Sequence, residues 1–204
     1  MGSFRASVLT YRDVENAASE LLRKLGRLDS VPVEVEDIVE FEMNLEVRPV
    51  LELQRRFTLD GFLGNRSRTV FVDQWVMEHR PSRYRFTLAH EVGHLILHAE
   101  VMREVDIQSP EDWNEFHADL GGENRAWFEH QAYWFGGALL VPAGTLTLRY
   151  EEALRWASQA GIRPDALSAH IRGTIAGWIA KAFRVSTDVV DRRLKRVIEG
   201  WESP

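Results

Sequence analysis

The order of apolar patterns along the chain predicts an α+β fold: helices, a small antiparallel sheet, then helices only. Two observations carry this. Segments with apolar residues every three to four positions dominate the chain, as amphipathic helices do. Three short apolar or alternating runs cluster between residues 45 and 72, as strands of a small sheet do. No linker rich in Gly, Ser or Pro interrupts the chain. Residues 1–145 therefore read as one α+β domain, and residues 146–204 as a helical C-terminal region packed on it.

The elements follow in order. Residues 11–28 form an amphipathic helix, with Val14, Ala17, Ala18, Leu21, Leu22 and Leu25 inward and Gly26 near its end. Val35, Ile38, Val39 and Met43 mark a short second helix. Residues 45–50 alternate as a half-buried strand, and residues 61–64 and 69–72 flank a polar turn as two more. Pro81 opens a long helix to about Ala99. Ser109-Pro110-Glu111-Asp112 starts another, with a capping Ser, Pro at the first helical position and acids in the first turn. It stops at Gly121-Gly122. Helices then run over residues 123–141, 149–159, 164–183 and 187–199, the first ended by Pro142 and the last capped by Ser186.

Composition removes several classes of function. The 204 residues contain no cysteine, which excludes disulfides, thiolate catalysis and Cys-ligated zinc. The formal net charge of −6 argues against a dominant surface for nucleic acid or anionic membrane. Charges at Arg5, Arg12, Asp13, Glu15 and Glu20 leave no apolar core for a signal peptide, and no apolar run is long enough to span a bilayer. A cytoplasmic protein is expected.

The chemistry sits in the helix that Pro81 opens. His90-Glu91-Val92-Gly93-His94 is an HExxH motif. Residues four apart lie one above the other on a helix, so both imidazoles can reach one ion. Glu91 flanks that face, where it can take a proton from water without being a ligand. Two histidines under-coordinate a zinc ion, so a third protein donor is required, with one position left open. Glu129 is the choice, because it begins an inward stripe with Ala132, Phe135, Gly136, Leu139 and Leu140. His130 and His117 are rivals for that place. Gly93 and the Gly136-Gly137 pair would let the two helices cross closely. His98, one turn beyond His94, reads as a residue supporting the ligands. Zn²⁺ suits the set, and Mn²⁺ or Fe²⁺ fit similar ligands. Tyr84, His117, His130 and an Arg all remain open as the group that stabilises a developing oxyanion.

At these residues the sequence resembles the ImmA/IrrE family of bacterial metallopeptidases. The resemblance lies in Arg83 to His98, around the HExxH motif, and in Glu129 to Pro142, similar to the family's second motif. There a Glu three residues before an Ala supplies the third ligand, and the helix ends in Leu-Leu-x-Pro. That match favours Glu129 over His130. Weaker likeness extends to residues 61–73 and 179–186, with Arg192 and Leu194 following. Three features depart from the pattern: Tyr133 follows the Ala where Asn is usual, Gly136 and Gly137 stand where Ala is commoner, and the gap from His94 to Glu129 is long. The resemblance implies an intracellular endopeptidase that cleaves and inactivates a helix-turn-helix repressor of the Xre type, relieving repression under stress such as DNA damage or in mobile-element control.

Two segments lie outside that chemistry. Residues 100–123 hold eight acids (Glu100, Glu104, Asp106, Glu111, Asp112, Glu115, Asp119, Glu123) against one base, Arg103. They read as a solvated connection, or as a surface that attracts a basic DNA-binding partner. The last two helices resemble a helix-turn-helix pair, with Arg192, Arg193, Lys195 and Arg196 clustered. The alternative to a peptidase is thus a non-proteolytic metal-binding regulator that sequesters a repressor, or that binds DNA through these helices.

Overall fold

A computed structural model describes residues 8–64, 66, 68–162 and 168–200. Helix α1 (Tyr11–Lys24) opens on a capping box, in which Thr10 accepts from the Asp13 backbone and the Asp13 carboxylate accepts from the Thr10 backbone. Val14, Ala18 and Leu22 form its buried stripe. It stops at Lys24, short of the expected residue 28, because Gly26 takes φ +66° and turns the chain. The second helix, α2 (Val35–Asp37), runs directly into a π-helical turn, Ile38–Glu42.

The α+β class is as the sequence predicts, but the sheet is mixed, not antiparallel. Strand β2 (Gly61–Gly64) pairs antiparallel with β3 (Thr69–Asp73), while β1 (Glu46–Val50) pairs with β3 in parallel, in the order β1-β3-β2. The physical reason lies in which strand is buried. Four of the five residues of β3 are buried, so it takes the centre. β1 carries Glu46, Arg48 and Pro49, and proline fits only an edge strand because it cannot donate to the ladder. The chain therefore leaves β1 through the short helix α3 (Leu53–Phe57), lays down β2 on the far edge and returns between them.

Asp73 ends β3 and starts α4 (Gln74–His79), a helix the sequence does not announce; its carboxylate accepts from the Val76 and Gln54 backbones. Arg80, at φ −131° and ψ 65°, breaks α4 from α5 (Pro81–Leu97). Then follow α6 (Ala99–Glu104), α7 (Pro110–Leu120), α8 (Gly122–Leu140), α9 (Ala143–Gln159), α10 (Ala169–Phe183) and α11 (Thr187–Val197). The Ser109 capping box with Asp112 forms as predicted. α9 starts directly after Pro142, earlier than expected. The expected start of α10 at Pro164 lies outside the described residues.

The centre of the molecule is the crossing of α5 and α8. A Cβ on Gly93 would lie 3.1 Å from the Ala132 Cα, and one on Gly136 would lie 3.2 Å from the His90 backbone nitrogen. Each helix thus presents a glycine to the other's backbone, which brings the HExxH face directly against the face that carries Glu129. The last half of α8 is buried on all sides, from Gln131 through Leu140 apart from Tyr133. β2 and β3 cover another side of α5, and α1 packs on α8.

The C-terminal helices join this core. One apolar cluster includes Leu139 and Leu140 of α8, Ala153 of α9, Ile179 and Phe183 of α10, and Val190 of α11. Arg193 of α11 is buried, pairs with both Glu15 carboxylate oxygens at 2.6 and 2.7 Å, and donates to the Tyr11 hydroxyl and the Val141 carbonyl. Glu34 accepts from both Arg85 of α5 and Arg184, which follows α10 directly. Among the described residues, no helix is long and apolar enough to cross a membrane.

Candidate metal centre

The His90 and His94 Nε2 atoms face each other at 3.0 Å. From α8, Glu129 Oε2 lies 3.2 Å from His90 Nε2, and Oε1 lies 3.6 Å from His94 Nε2. Among the described residues these three form the group able to hold a metal ion. Donor atoms about 2.0–2.1 Å from a tetrahedral ion stand roughly 3.3 Å from one another, so the observed separations fit one ion without rebuilding. The donor set, two imidazoles and a carboxylate, suits zinc and leaves a position open. Its electrostatics are matched to a cation. Burial raises the Glu129 pKa, but contacts with His117 and His90 outweigh that and hold the carboxyl far below the usual range. Burial drives His94 well down, keeping it neutral as a ligand must be. At His90 burial lowers the pKa, and the Glu129 carboxylate more than offsets it.

Glu91 is 2% exposed and belongs to the same cleft. The Leu63 backbone of β2 donates to its carboxylate, while Oε2 is buried with no hydrogen-bond partner among the described residues. Burial raises its pKa to about 7.

The other sequence candidates fall in four places. His98 is buried below His94, its Nδ1 3.1 Å from His94 Nδ1, and its Nε2 lies 3.0 Å from Gln131 Oε1. Phe128 stacks on both rings at 4.3 and 4.2 Å. His130 lies on the exposed side of α8 against Trp134, facing a neighbouring pocket instead of the ligands. Tyr84 sits apart, near Glu36 and Glu40; burial first and those two charges second push its pKa up to about 12, and it does not line the cleft. His117 reaches the centre from α7: its Nε2 lies 3.1 Å from Glu129 Oε1, without the in-line geometry of a hydrogen bond. Gln131 and Phe128 went unread in the sequence. A buried glutamine two positions from a ligand on the same helix was the available signal.

The cleft above the ligands has a volume of about 970 Å³. Its walls come from the start of β2, from α4 and α5, from Trp113 and His117 of α7, and from Tyr133 and Asp188 at the α8–α11 junction. Such a cleft admits an extended peptide segment.

An HExxH helix crossed by a helix bearing a carboxylate, beside a small sheet and under an open cleft, defines a metallopeptidase-type domain. The sequence agrees: the model of the IrrE N-terminal-like domain, Peptidase_M78, matches residues 53–195, and the chain belongs to that peptidase family. None of the curated proteins matches. Among solved structures, a Mycobacterium tuberculosis transcriptional regulator is similar in fold, with TM-score 0.52 and 18% identity over 90% of this chain. The chain spans 46% of that protein, about half its length.

Proposed function

We propose that this chain is a metal-dependent endopeptidase that holds zinc through His90, His94 and Glu129, uses Glu91 as general base, and acts in the cytoplasm on a helix-turn-helix repressor of the Xre type. The buried, unpartnered Oε2 of Glu91 beside the three donors carries this reading. A purely structural zinc site has no need for such a group and would close on a fourth protein ligand. The choice of repressor as substrate rests on family membership and on the acidic α7 described below.

When bound, the ion acidifies water and polarises a carbonyl. Glu91 Oε2 takes the proton of the attacking water as the new C–O bond forms. It then returns that proton to the amide nitrogen as the C–N bond breaks, so each turnover leaves the carboxylate as it began. Glu129 and the two imidazoles hold three sides of the site, and the walls of the cleft align the peptide.

Incubating the protein with the Xre-type repressor encoded beside its gene, with and without chelator, and weighing the fragments by mass spectrometry tests the reading. The expected result is one chelator-sensitive cut. Glu91→Gln should bind zinc with unchanged affinity and cleave roughly 10² to 10⁴ times more slowly, the usual worth of a general base. A fully active Glu91→Gln variant would remove Glu91 from this role.

DNA binding by α11 is disfavoured by how its cations are engaged. Arg192 pairs with Asp188, Lys195 with Asp191, and Arg193 with Glu15, while Arg196 lies over the Tyr11 and Trp134 rings. Arg193 is thus buried and Arg196 stacked on rings, while the exposed Arg192 and Lys195 are each offset by an acid one turn away, which leaves little net positive charge for phosphates.

A further inference from the structure

We propose that Gln131 and His98 act as positioning residues that set the proton pattern of the metal centre, so that His94 presents a bare Nε2 to the ion. The proposal rests on the zinc-ligand reading above. Its basis is a chain of three buried side chains on two helices. Gln131 of α8 is fully buried, His98 is 4% exposed and His94 fully buried. The contacts are Gln131 Oε1 to His98 Nε2 at 3.0 Å and His98 Nδ1 to His94 Nδ1 at 3.1 Å. Phe128 stacks on both rings, at 26° and 24°, and restricts their rotation.

The direction follows from the donor and acceptor capacity of each atom. An amide oxygen only accepts, so His98 Nε2 carries a hydrogen and donates to it. The remaining nitrogen of a neutral His98 then accepts, so His94 Nδ1 carries a hydrogen and donates to His98 Nδ1. That leaves the lone pair of His94 on Nε2, the atom facing His90 and Glu129. Turning the amide of Gln131 reverses every step and ends with a hydrogen on His94 Nε2, where the ion would bind. One buried amide thus selects between a ligand and a blocked ligand. Outer partners of this kind orient a ligating imidazole and are worth 10- to 100-fold in metal affinity. Here the partner of the ligand is a second histidine, and the acceptor that commits both rings sits two residues from the third ligand, Glu129.

Two measurements on the full-length protein test this. In the metal-free wild type, ¹⁵N–¹H correlation of the imidazoles should show His94 protonated at Nδ1 and His98 at Nε2. His94 protonated at Nε2 would overturn the proposal. In zinc titrations against a chromogenic chelator, Gln131→Met, which fills the space without an acceptor, should bind zinc about 10- to 100-fold more weakly. Gln131→Glu, which can only accept, should restore wild-type affinity. Equal affinity of Gln131→Met and wild type would also overturn it, as would a Gln131→Glu variant as weak as Gln131→Met. If the Met variant does not fold, the tautomers of the wild type decide. Failure of the wild type to bind zinc would instead sink the metal-centre reading, an outcome distinct from a wrong tautomer.

Discussion

Glu129 is the residue on which the centre depends most, because it alone comes from a different helix. Without it, His90 and His94 offer two donors, too few to hold zinc in a folded site. A ligand that binds only the folded protein stabilises it by about 2.7 kcal/mol at a hundredfold excess over its Kd. Adding zinc at that excess should therefore raise the melting temperature of the wild type by several degrees. Glu129→Ala should show no such rise at the same zinc concentration, measured by differential scanning calorimetry. An equal rise in both proteins would place the ion elsewhere. At this scale the sequence was legible where spacing along one helix decides the matter: the His90 and His94 rings meet at Nε2 as the i, i+4 geometry requires, and His90 and Glu91 line the cleft. His130 and Tyr84 were not placed by that rule. Their positions depend on which side of α8 and α5 meets the rest of the molecule.

Two elements govern how the residues meet. The α5–α8 crossing is tight because Gly136 lies against the His90 backbone. Gly136→Val would push two γ-methyl groups into that contact and separate Glu129 from the histidines. Overpacking of this kind costs about 1–3 kcal/mol, which for a chain of this size is a fall in melting temperature of roughly 2–12 °C. Zinc affinity should fall in the same variant; chelator competition checks this. The second element is α7. Trp113 and His117 on its inner face wall the cleft, while Glu111, Glu115 and Asp119 are exposed on the outer face. Removing the whole segment would strip the cleft itself, so charge is the cleaner variable. If the outer face attracts a basic DNA-binding partner, the triple variant Glu111→Gln, Glu115→Gln, Asp119→Asn should cleave the repressor more slowly at low salt. A drop of about tenfold in kcat/KM, with a flatter salt dependence, is the size expected from lost steering. Cleavage of a short neutral peptide should not change. Equal losses on both substrates would argue against a docking role.

For the whole molecule, the question is how residues 146–204 relate to the catalytic part. We propose that they extend one cooperative unit from residues 1–145, because the joining contacts are buried and charged. Arg193 of α11 is pinned to Glu15 of α1, a contact between the ends of the described chain. Removing one partner of a buried pair leaves the other charge stranded, at about 3–5 kcal/mol. Arg193→Met should therefore lower global stability by that amount in urea unfolding, with one transition throughout. Pairing it with Glu15→Leu should recover most of the loss. Two separate transitions in the single variant would mean that the C-terminal helices fold on their own.

The sequence by itself determined the HExxH helix, the placing of His90 and His94 on one of its faces, and the family. Each of these is written in residues close together in the chain or in a local motif, where helical geometry alone sets the facing of side chains. Tertiary structure decided the rest. It placed β3 between two strands and made the sheet mixed, because burial and a proline sort strands by position and not by order in the chain. It brought His117 to Glu129 and Gln131 to His98, and it buried Arg193 of α11 against Glu15. Those pairings join residues distant in sequence, and only the angle and closeness at which helices cross can bring them together.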